Sequence, residues 1–236
     1  MITIIQSFYY SINDTRQTEI EFALMQNLNK NYVKNIHLFI ENKDLVKFKT
    51  STFYKNNKII IVNFEGQPTY PVLFNYSSNL NNEYCCICNS DIELNIENIK
   101  IVEHLKNNKL IYFITRHEHD MSCPLIDNFG GSHDAFIFHS DTMKKNLNNI
   151  NTNFINYIQN TSGIEALLTI YFIEQLNYKI LNPCYQIVLL HHHKSQVRLW
   201  NTGNQTIPVG YTHPIPLKVN WGVHNKYIIK PCNINL

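Results

Sequence analysis

The sequence predicts an α/β domain with a mainly parallel central sheet flanked by helices. Short apolar runs alternate along the chain with segments of helical periodicity. The runs are nearly continuous in apolar residues, which is typical of strands that are buried on both faces. The length of 236 residues suits one large domain with a substantial core.

Each element is predicted from its own local pattern. Ile2–Phe8 is rich in isoleucine and typical of a buried strand, and Asn13 offers an N-cap for a following helix. In that helix the positions with core spacing are Ile20, Ala23, Leu24, Asn27 and Leu28. Further strands are predicted at Asn35–Ile40, Lys58–Asn63, Tyr84–Cys88, Leu110–Thr115, Phe136–Phe138, Tyr178–Leu181 and Ile187–Leu190. Further helices are predicted at Tyr70–Asn79, Ile96–Asn107 and Gly163–Leu176.

The organisation predicted is a single domain with a C-terminal extension. We expect residues 1–200 to form the domain. Residues 201–236 hold four of the eight prolines, so we expect an irregular extension packed on the same domain. We find no repeat and no low-complexity linker.

The composition argues against a nucleic-acid-binding protein and against a membrane-spanning one. The 20 basic residues are scattered and nearly balanced by 18 acidic ones, which gives no electrostatic reason to expect nucleic acid. No apolar run approaches the ~20 residues of a membrane span, and no charged segment precedes the short apolar start. We therefore expect a soluble, cytoplasmic protein.

The six cysteines are too sparse for a disulfide framework. Cys85, Cys86 and Cys88 lie together in an apolar run, so buried thiols are the favoured interpretation. A zinc site there stays open, although the spacing is unlike that of a zinc knuckle.

Polar residues follow the predicted strands at the ends where α/β sheets bind ligands. Asn89, Ser90 and Asp91 come directly after Tyr84–Cys88, and a carboxylate there suits a hard cation that also holds a diphosphate. The alternative is that Ser90 or Asp91 caps a following helix.

A second polar segment, Thr115–Asp120, begins at the end of the strand predicted at Leu110–Thr115. Arg116 could hold a phosphate or order a carboxylate. His117 and His119 with Glu118 and Asp120 could form a metal site, but they lack the HExxH spacing of a metallohydrolase. A solvated loop of mixed charge is favoured.

Two further carboxylates begin predicted elements. Asp134 follows the Gly130–Gly131 pair at the start of a strand, where the alternative is an ordinary glycine turn. Glu165 lies in the first turn of the helix predicted at Gly163–Leu176. There it either interacts with the helix dipole or serves as a catalytic or acceptor-binding carboxylate.

Three consecutive histidines, His191, His192 and His193, follow the last predicted strand. If extended backbone continues, His191 and His193 share one face and His192 points away. Two imidazoles, with Lys194, Ser195 and Arg198 close behind, suit a divalent cation or a phosphate-bearing ligand. The alternative is a polar strand end without a ligand.

The motifs at the predicted strand and helix ends occur in an order that resembles a known family. In chain order they are Thr15–Ile20, Asn89–Ile92, Thr115–Arg116, Ser132–Phe138, Gly163–Glu165, Tyr178–Pro183, and the set His191, His193, Ser195 and Arg198. The series resembles a family of small GT-A-fold (Rossmann-like) glycosyltransferases found in large DNA viruses and microbes. It is also similar to the N-terminal glycosyltransferase domain of a multidomain chlorovirus enzyme. The resemblance covers about Ile2 to Trp200.

The resemblance implies transfer of a sugar from a nucleotide-diphosphate sugar, with a UDP-sugar expected, to a glycan or protein-linked acceptor. It also implies dependence on Mn²⁺ or Mg²⁺. Asp91 matches the DxD-like position and is the first implied metal ligand, and His191 or His193 would reach the metal or the diphosphate. The residues implied to bind the donor are Ser7, Tyr9, Arg16, Asn89, Ser90, Arg116, Ser195 and Arg198.

The chain departs from the family pattern at several positions. Asn89 stands at the first acidic position of the DxD motif, His133 replaces a glutamine, and Ile164–Ala166 replaces Cys-Asp-Asn. By the resemblance, Asp134 and Glu165 bind the acceptor and one of them is the general base if the reaction inverts. In a retaining reaction they would orient the acceptor and stabilise positive charge at the sugar carbon.

Two other functions stay open from the sequence. A metal-dependent phosphoesterase would use His117, Asp120, Asp134 and His191 around two ions. An inactive nucleotide-sugar-binding module would keep the fold without the activity, and Asn89 favours it.

Overall fold

The computed structural model describes residues 1–118, 133–147, 156–159, 161, 164–195 and 229–235. Its strands are β1 Ile2–Phe8, β2 Val33–Ile40, β3 Ile59–Asn63, β4 Tyr84–Cys88, β5 Ile92–Ile96, β6 Leu110–Ile114, β7 Arg116–Glu118, β8 Ala135–His139, β9 Lys179–Leu181 and β10 Ile187–His191. The α-helices are α1 Asp14–Leu28, α2 Asn42–Phe48, α3 Tyr70–Ser78, α4 Ser140–Leu147 and α5 Ile164–Ile170. Thr52–Lys55 and Ile99–Leu105 are 3₁₀ helices, and Tyr171–Gln175 is a π-helix.

The central sheet has seven strands in the order β3-β2-β1-β4-β8-β6-β9. Pairing is parallel throughout except around β8, which runs antiparallel to both β4 and β6. Chain order reverses between β1 and β4, which is the switch point where such sheets bind ligands. The predicted class, a mainly parallel α/β fold flanked by helices, is confirmed.

Both faces of the central sheet are covered. Ile4 on β1 packs with Ile20 and Leu24 of α1, while Ile5 packs with Tyr70 of α3 on the other face. This alternation explains why the strand sequences are apolar at every position, because neither face meets water. The three cysteines of β4 are buried free thiols in these two cores.

A second sheet of three strands, in the order β5-β10-β7, carries the histidine triplet at the end of β10. β10 pairs antiparallel with β5 and parallel with β7. Two expectations are wrong here. The helix predicted at Ile96–Asn107 is replaced by the end of β5 and a short 3₁₀ helix, and Arg116–Glu118 is a strand rather than a solvated loop.

The remaining predicted elements occur with ends shifted by a few residues where the structure describes them. The first helix begins after Asn13, whose side chain accepts a hydrogen bond from the backbone N–H of Arg16 at 2.9 Å, as expected of an N-cap. The described residues contain no helix long and apolar enough to cross a membrane.

Residues 201–228 of the predicted extension lie outside the described part, so their packing stays a prediction. Of the final residues, Cys232 donates its backbone N–H to the carbonyl of Asn182 at 3.0 Å. Gln186 hydrogen-bonds both the N–H and the carbonyl of Ile234.

Candidate functional site

The end of β4 turns directly into β5, and this turn carries Asn89, Ser90 and Asp91. The backbone N–H of Ile92 closes the turn on the carbonyl of Asn89 at 3.3 Å. Since a strand follows the turn, the helix-capping interpretation of Ser90 and Asp91 is wrong. The turn lies beside the switch point between β1 and β4 and places Ser90 and Asp91 in buried positions.

Asp91 is the centre of a buried cluster of positively charged and imidazole groups. Its Oδ2 atom lies 2.6 Å from Nη2 of Arg16, 3.0 Å from Nε2 of His191 and 3.7 Å from Nδ1 of His193. Arg16 also donates from Nη1 to the carbonyl of His192 at 3.2 Å. Helix α1, β10 and the β4–β5 turn therefore meet at one carboxylate oxygen.

The charges in this cluster stabilise one another. Burial alone would raise the pKa of Asp91, but the hydrogen bond and charge of His191 and those of Arg16 hold that pKa well below its usual range. Burial alone would lower the pKa of His191, yet the hydrogen bond and charge of Asp91 outweigh burial and raise it. The cluster is thus an ionised carboxylate facing cationic partners.

The histidine triplet alternates as expected of extended backbone. His191 and His193 face Asp91, whereas Nε2 of His192 lies 3.0 Å from Oε2 of Glu93. The hydrogen bond from His192 is the largest influence on Glu93 and, with Lys30, lowers the pKa of Glu93 to about 2. His192 is therefore held on the other side, and its backbone N–H binds the carbonyl of Asp91 at 2.9 Å.

The residues around Asp91 fit a divalent cation. One ligand atom each from Asp91, His191 and His193 lies within 4.8 Å of the others. A carboxylate oxygen and two imidazole nitrogens form a mixed donor set that first-row divalent metals accept. Arg16 shares the same carboxylate, so an ion bound there would compete with the guanidinium. The roles of the three residues as ligands remain predictions.

A second polar cluster is built around Asp134 at the start of β8. Nη1 of Arg116 lies 3.1 Å from each carboxylate oxygen of Asp134, and Nδ2 of Asn89 donates to Oδ1 at 3.0 Å. Arg116 therefore orders a carboxylate, which was one of its two expected roles. Because Asn89 is two residues from Asp91, the two clusters are adjacent.

Glu165, in the first turn of α5, lies close enough to this cluster to be affected electrostatically. Burial, reinforced by the charge of Asp134 and opposed by a backbone hydrogen bond and Arg116, raises the pKa of Glu165 to about 8. The hydroxyl of Tyr70 is subject to the same two carboxylates. Asp134 and Glu165, both singled out from the sequence, thus share one environment.

The end of β1 is linked to β4 by Gln159, which was not predicted as a site residue. Ser7 donates from Oγ to Oε1 of Gln159 at 2.7 Å, and Nε2 of Gln159 donates to the carbonyl of Cys88 at 3.3 Å. Burial alone would lower the pKa of Arg16, but the charge and hydrogen bond of Asp91 outweigh burial and raise it. A hydrogen bond with Tyr9 adds to this rise. No local pattern marks Gln159, since its partners are far away in sequence.

Ser195 is bound to the first helix rather than projecting alone into the site. Glu19 accepts hydrogen bonds from the backbone N–H of Ser195 at 2.7 Å and from its Oγ at 2.8 Å. Glu19 also contacts Arg16 at 3.2 Å. Glu19 was not predicted as a site residue from the sequence, although it lies in the Thr15–Ile20 motif. Arg198 lies outside the described residues.

His117, which follows β6, does not join the Asp91 cluster. Nε2 of His117 lies 3.0 Å from the carbonyl of Cys184, and His117 is buried. His119 and Asp120 fall outside the described residues, as do Gly130 and Gly131. Within the described part of the chain, the set able to hold an ion is Asp91, His191 and His193.

Comparison with known proteins gives a likeness of fold alone. No family model matches the chain, and no curated protein matches it. One similar solved structure is a putative glucose-1-phosphate thymidylyltransferase from Bacillus anthracis in complex with sucrose. It has 9% identity and a TM-score of 0.47, over 77% of this chain and 86% of that one.

Two further solved structures show the same degree of likeness. HddC from Yersinia pseudotuberculosis, complexed with GMP-PN, has 10% identity and a TM-score of 0.47, over 81% of this chain and 93% of that one. TarS 1–349 from S. aureus, in complex with UDP-GlcNAc, has 10% identity and a TM-score of 0.48, over 82% of this chain. This chain spans 56% of that TarS chain.

Proposed function

We propose that this chain is a divalent-metal-dependent glycosyltransferase. It would transfer a sugar from a nucleotide-diphosphate sugar, with a UDP-sugar expected, to a hydroxyl of a glycan or protein-linked acceptor. The observation that carries the proposal is the adjacency of two polar clusters at the switch point of the sheet, each around a buried carboxylate, Asp91 or Asp134. One offers cationic and metal-ligating groups around Asp91, and the other offers carboxylates at Asp134 and Glu165.

The Asp91 cluster suits the diphosphate of the donor. Asp91, His191 and His193 would hold Mn²⁺ or Mg²⁺, which when bound offsets the negative charge that develops on the departing diphosphate. Arg16, which shares Asp91 and contacts Glu19, would bind a phosphate oxygen of the donor. Ser7, Tyr9 and Gln159 line the neighbouring end of β1, where the nucleotide would lie.

The Asp134 cluster suits the acceptor. Arg116 and Asn89 fix the carboxylate of Asp134, so Asp134 is suited to orient an acceptor hydroxyl. The raised pKa of Glu165, about 8, lies near neutral pH, where a general base is most effective. In an inverting reaction we assign proton removal to Glu165. In a retaining reaction both groups would position the acceptor.

The phosphoesterase alternative has less support. It requires His117 to share ions with His191, but His117 is directed to the carbonyl of Cys184. The inactive module keeps one supporting observation, because the side chain of Asn89, at the first DxD-like position, donates to Asp134. A measurement of turnover distinguishes the inactive module from an active glycosyltransferase.

The proposal is tested by thermal shift with a panel of nucleotide-sugars, with and without Mn²⁺, followed by an assay for free nucleotide in the presence of acceptors. We expect a metal-dependent rise in Tm with a UDP- or GDP-sugar, and nucleotide release. Asp91→Ala should lose the rise, whereas Glu97→Gln, which changes an exposed carboxylate at the far end of β5, should keep it.

Each negative result has its own meaning. No Tm response to any nucleotide-sugar would contradict the proposal as a whole. A response that Asp91→Ala retains would refute the metal assignment. Binding without turnover across a broad acceptor panel would favour the inactive module.

A further inference from the structure

Glu118, the last residue of β7, contacts both clusters of the site. We propose that Glu118 is a positioning residue that holds His191 in the orientation and tautomer needed to bind the divalent cation. This inference rests on the metal site of the proposed function. It concerns a residue whose expected place was a solvated loop.

The backbone sets Glu118 opposite His191. Strand β7 pairs parallel with β10, and in the register of that pair His191 lies across from Glu118 and Leu189 from Arg116. The contact therefore follows from the sheet itself. A short, polar strand beside the histidine-bearing strand thereby has a specific function, which is to bring a carboxylate to the side of the imidazole that faces away from Asp91.

The two ring nitrogens of His191 have different carboxylate partners. Nδ1 lies 3.3 Å from Oε2 of Glu118, and Nε2 lies 3.0 Å from Oδ2 of Asp91. A histidine that binds an ion through Nε2 is neutral and carries its one N–H on Nδ1, where a carboxylate can accept the hydrogen bond. The lone pair is then on Nε2, directed toward the position that an ion shares with Asp91. Carboxylates that bind the outer nitrogen of a ligating histidine commonly act in this way.

The second oxygen of Glu118 serves the acceptor side. Oε1 lies 3.4 Å from Nε of Arg116, whose Nη1 holds Asp134. One carboxylate thus connects a metal ligand to the residue that orients the acceptor-binding carboxylate. We expect loss of Glu118 to loosen both, with the metal site affected directly and Asp134 affected through Arg116.

The partial exposure of Glu118 sets the expected size of the effect. Its side chain is 37% exposed, against 7% for His191, so solvent screens the contact. Removing such an outer carboxylate typically costs about 10–100-fold in metal affinity, and we expect the lower end, about tenfold. Glu118→Gln keeps an oxygen that can accept from Nδ1 and should lose less metal affinity than Glu118→Ala.

The test is Mn²⁺ binding to the full chain, measured by the EPR signal of free Mn²⁺ and by calorimetry, without nucleotide. The variants are Glu118→Ala, Glu118→Gln, Asp91→Asn and the control Glu97→Gln. We expect Glu97→Gln to match wild type, Glu118→Ala to bind about tenfold more weakly, and Asp91→Asn to lose binding. Metal-free Tm values show whether each variant is folded.

The outcomes separate this inference from the proposed function. Wild-type affinity in Glu118→Ala, together with lost binding in Asp91→Asn, would overturn the role of Glu118 and leave the metal site intact. A drop only in the metal-free Tm of Glu118→Ala would make Glu118 structural and likewise overturn it. No Mn²⁺ binding by wild type would overturn the metal site and this inference together.

Discussion

At the scale of single residues, the site depends on how many groups converge on one oxygen atom of Asp91. Arg16, His191 and His193 all lie within 4 Å of Oδ2. A buried carboxylate of this kind is stable only while it is paired, because desolvation of an unpaired charge costs several kcal/mol. An ion bound at the proposed site would compete with the guanidinium of Arg16 for Asp91.

Arg16→Met tests this competition. Removing the guanidinium leaves Asp91 with fewer buried partners, so we expect the free energy of unfolding to fall by about 3 kcal/mol in the absence of metal. Mn²⁺ should restore part of that loss, because it supplies the missing positive charge. Urea unfolding with and without Mn²⁺ measures both effects.

The matched control is Lys43→Met, whose ion pair with Glu41 is exposed. It should be as stable as wild type and no more sensitive to Mn²⁺. Equal destabilisation of the two variants would show that the buried ion pair contributes no more to the free energy of unfolding than the exposed pair.

Glu165 predicts a pH dependence of stability. Its folded pKa of about 8 exceeds its ordinary value of 4.5, so the folded state keeps a proton that the unfolded chain releases. The stabilising effect of that proton is complete below about pH 4.5 and is lost as the pH rises to about 8. Glu165→Gln should therefore equal wild type near the acid limit and exceed it in stability, by about 1–3 kcal/mol, above about pH 8.

Urea unfolding at a series of pH values tests this expectation, with Glu97→Gln as an exposed control that should follow the wild-type curve. Parallel curves for wild type and Glu165→Gln would contradict it. If Glu165 is also the general base, Glu165→Gln gains stability and loses turnover in the same protein.

At the scale of elements, helix α1 connects the three-stranded sheet to the seven-stranded sheet. The side chain of Asn27 donates to the carbonyl of Ile92 at 2.8 Å and accepts from the N–H of Leu94 at 2.8 Å. These are backbone groups of β5, an edge strand whose outer side is also bound by the hydroxyl of Tyr32, at the carbonyl of Leu94 and the N–H of Ile96. Through β5, α1 holds β10 and the histidine triplet against the β4–β5 turn.

Asn27→Ala should therefore destabilise more than a surface change on the same helix. Two buried backbone groups lose their partners, at about 1–3 kcal/mol each, and we expect a total near 3 kcal/mol. Met25→Ala, at an exposed position of α1, should change stability by less than about 0.5 kcal/mol. Urea unfolding gives both values, and faster amide exchange at Leu94 would locate the damage. Equal stability of the two variants would refute the bridging role of Asn27.

At the scale of the whole molecule, the last described residues close the edge of the fold. Ile229 is buried, Pro231 forms a bridge with Asn182, and Gln186 binds the backbone of Ile234 at 2.6 Å and 3.0 Å. Asn182 also donates to Thr115 in the strand end that precedes Arg116. The C-terminal residues therefore support the region from which β7 begins.

Gln186→Ala is the corresponding test. It removes two hydrogen bonds to the C-terminal segment, and we expect a loss of about 1–3 kcal/mol and faster proteolysis near residue 230. Tyr185→Ala changes the exposed neighbouring side chain and should leave both properties unchanged. Proteolysis of the two variants at equal rates would show that these bonds do not anchor the segment.

Much of the fold could be predicted from local pattern. Strand β4 begins and ends at the predicted residues. The five residues of α1 that were expected to face the core are all buried. The small sheet was missed, although Ile92, Leu94 and Ile96 alternate with polar residues as a half-buried strand does. Strand β7 could not have been found in this way, because its three polar residues form a strand only by pairing with β10.

The sequence by itself determined the α/β alternation, the N-cap of α1 and the strand ends that carry Asp91, Asp134 and the histidines. Each of these is encoded by neighbouring residues. Only the tertiary structure decided which charges meet: Asp91 with Arg16, Arg116 with Asp134, and Glu118 with His191. Those contacts join residues that are distant in the chain, and strand register and helix packing bring them together where local periodicity carries no information.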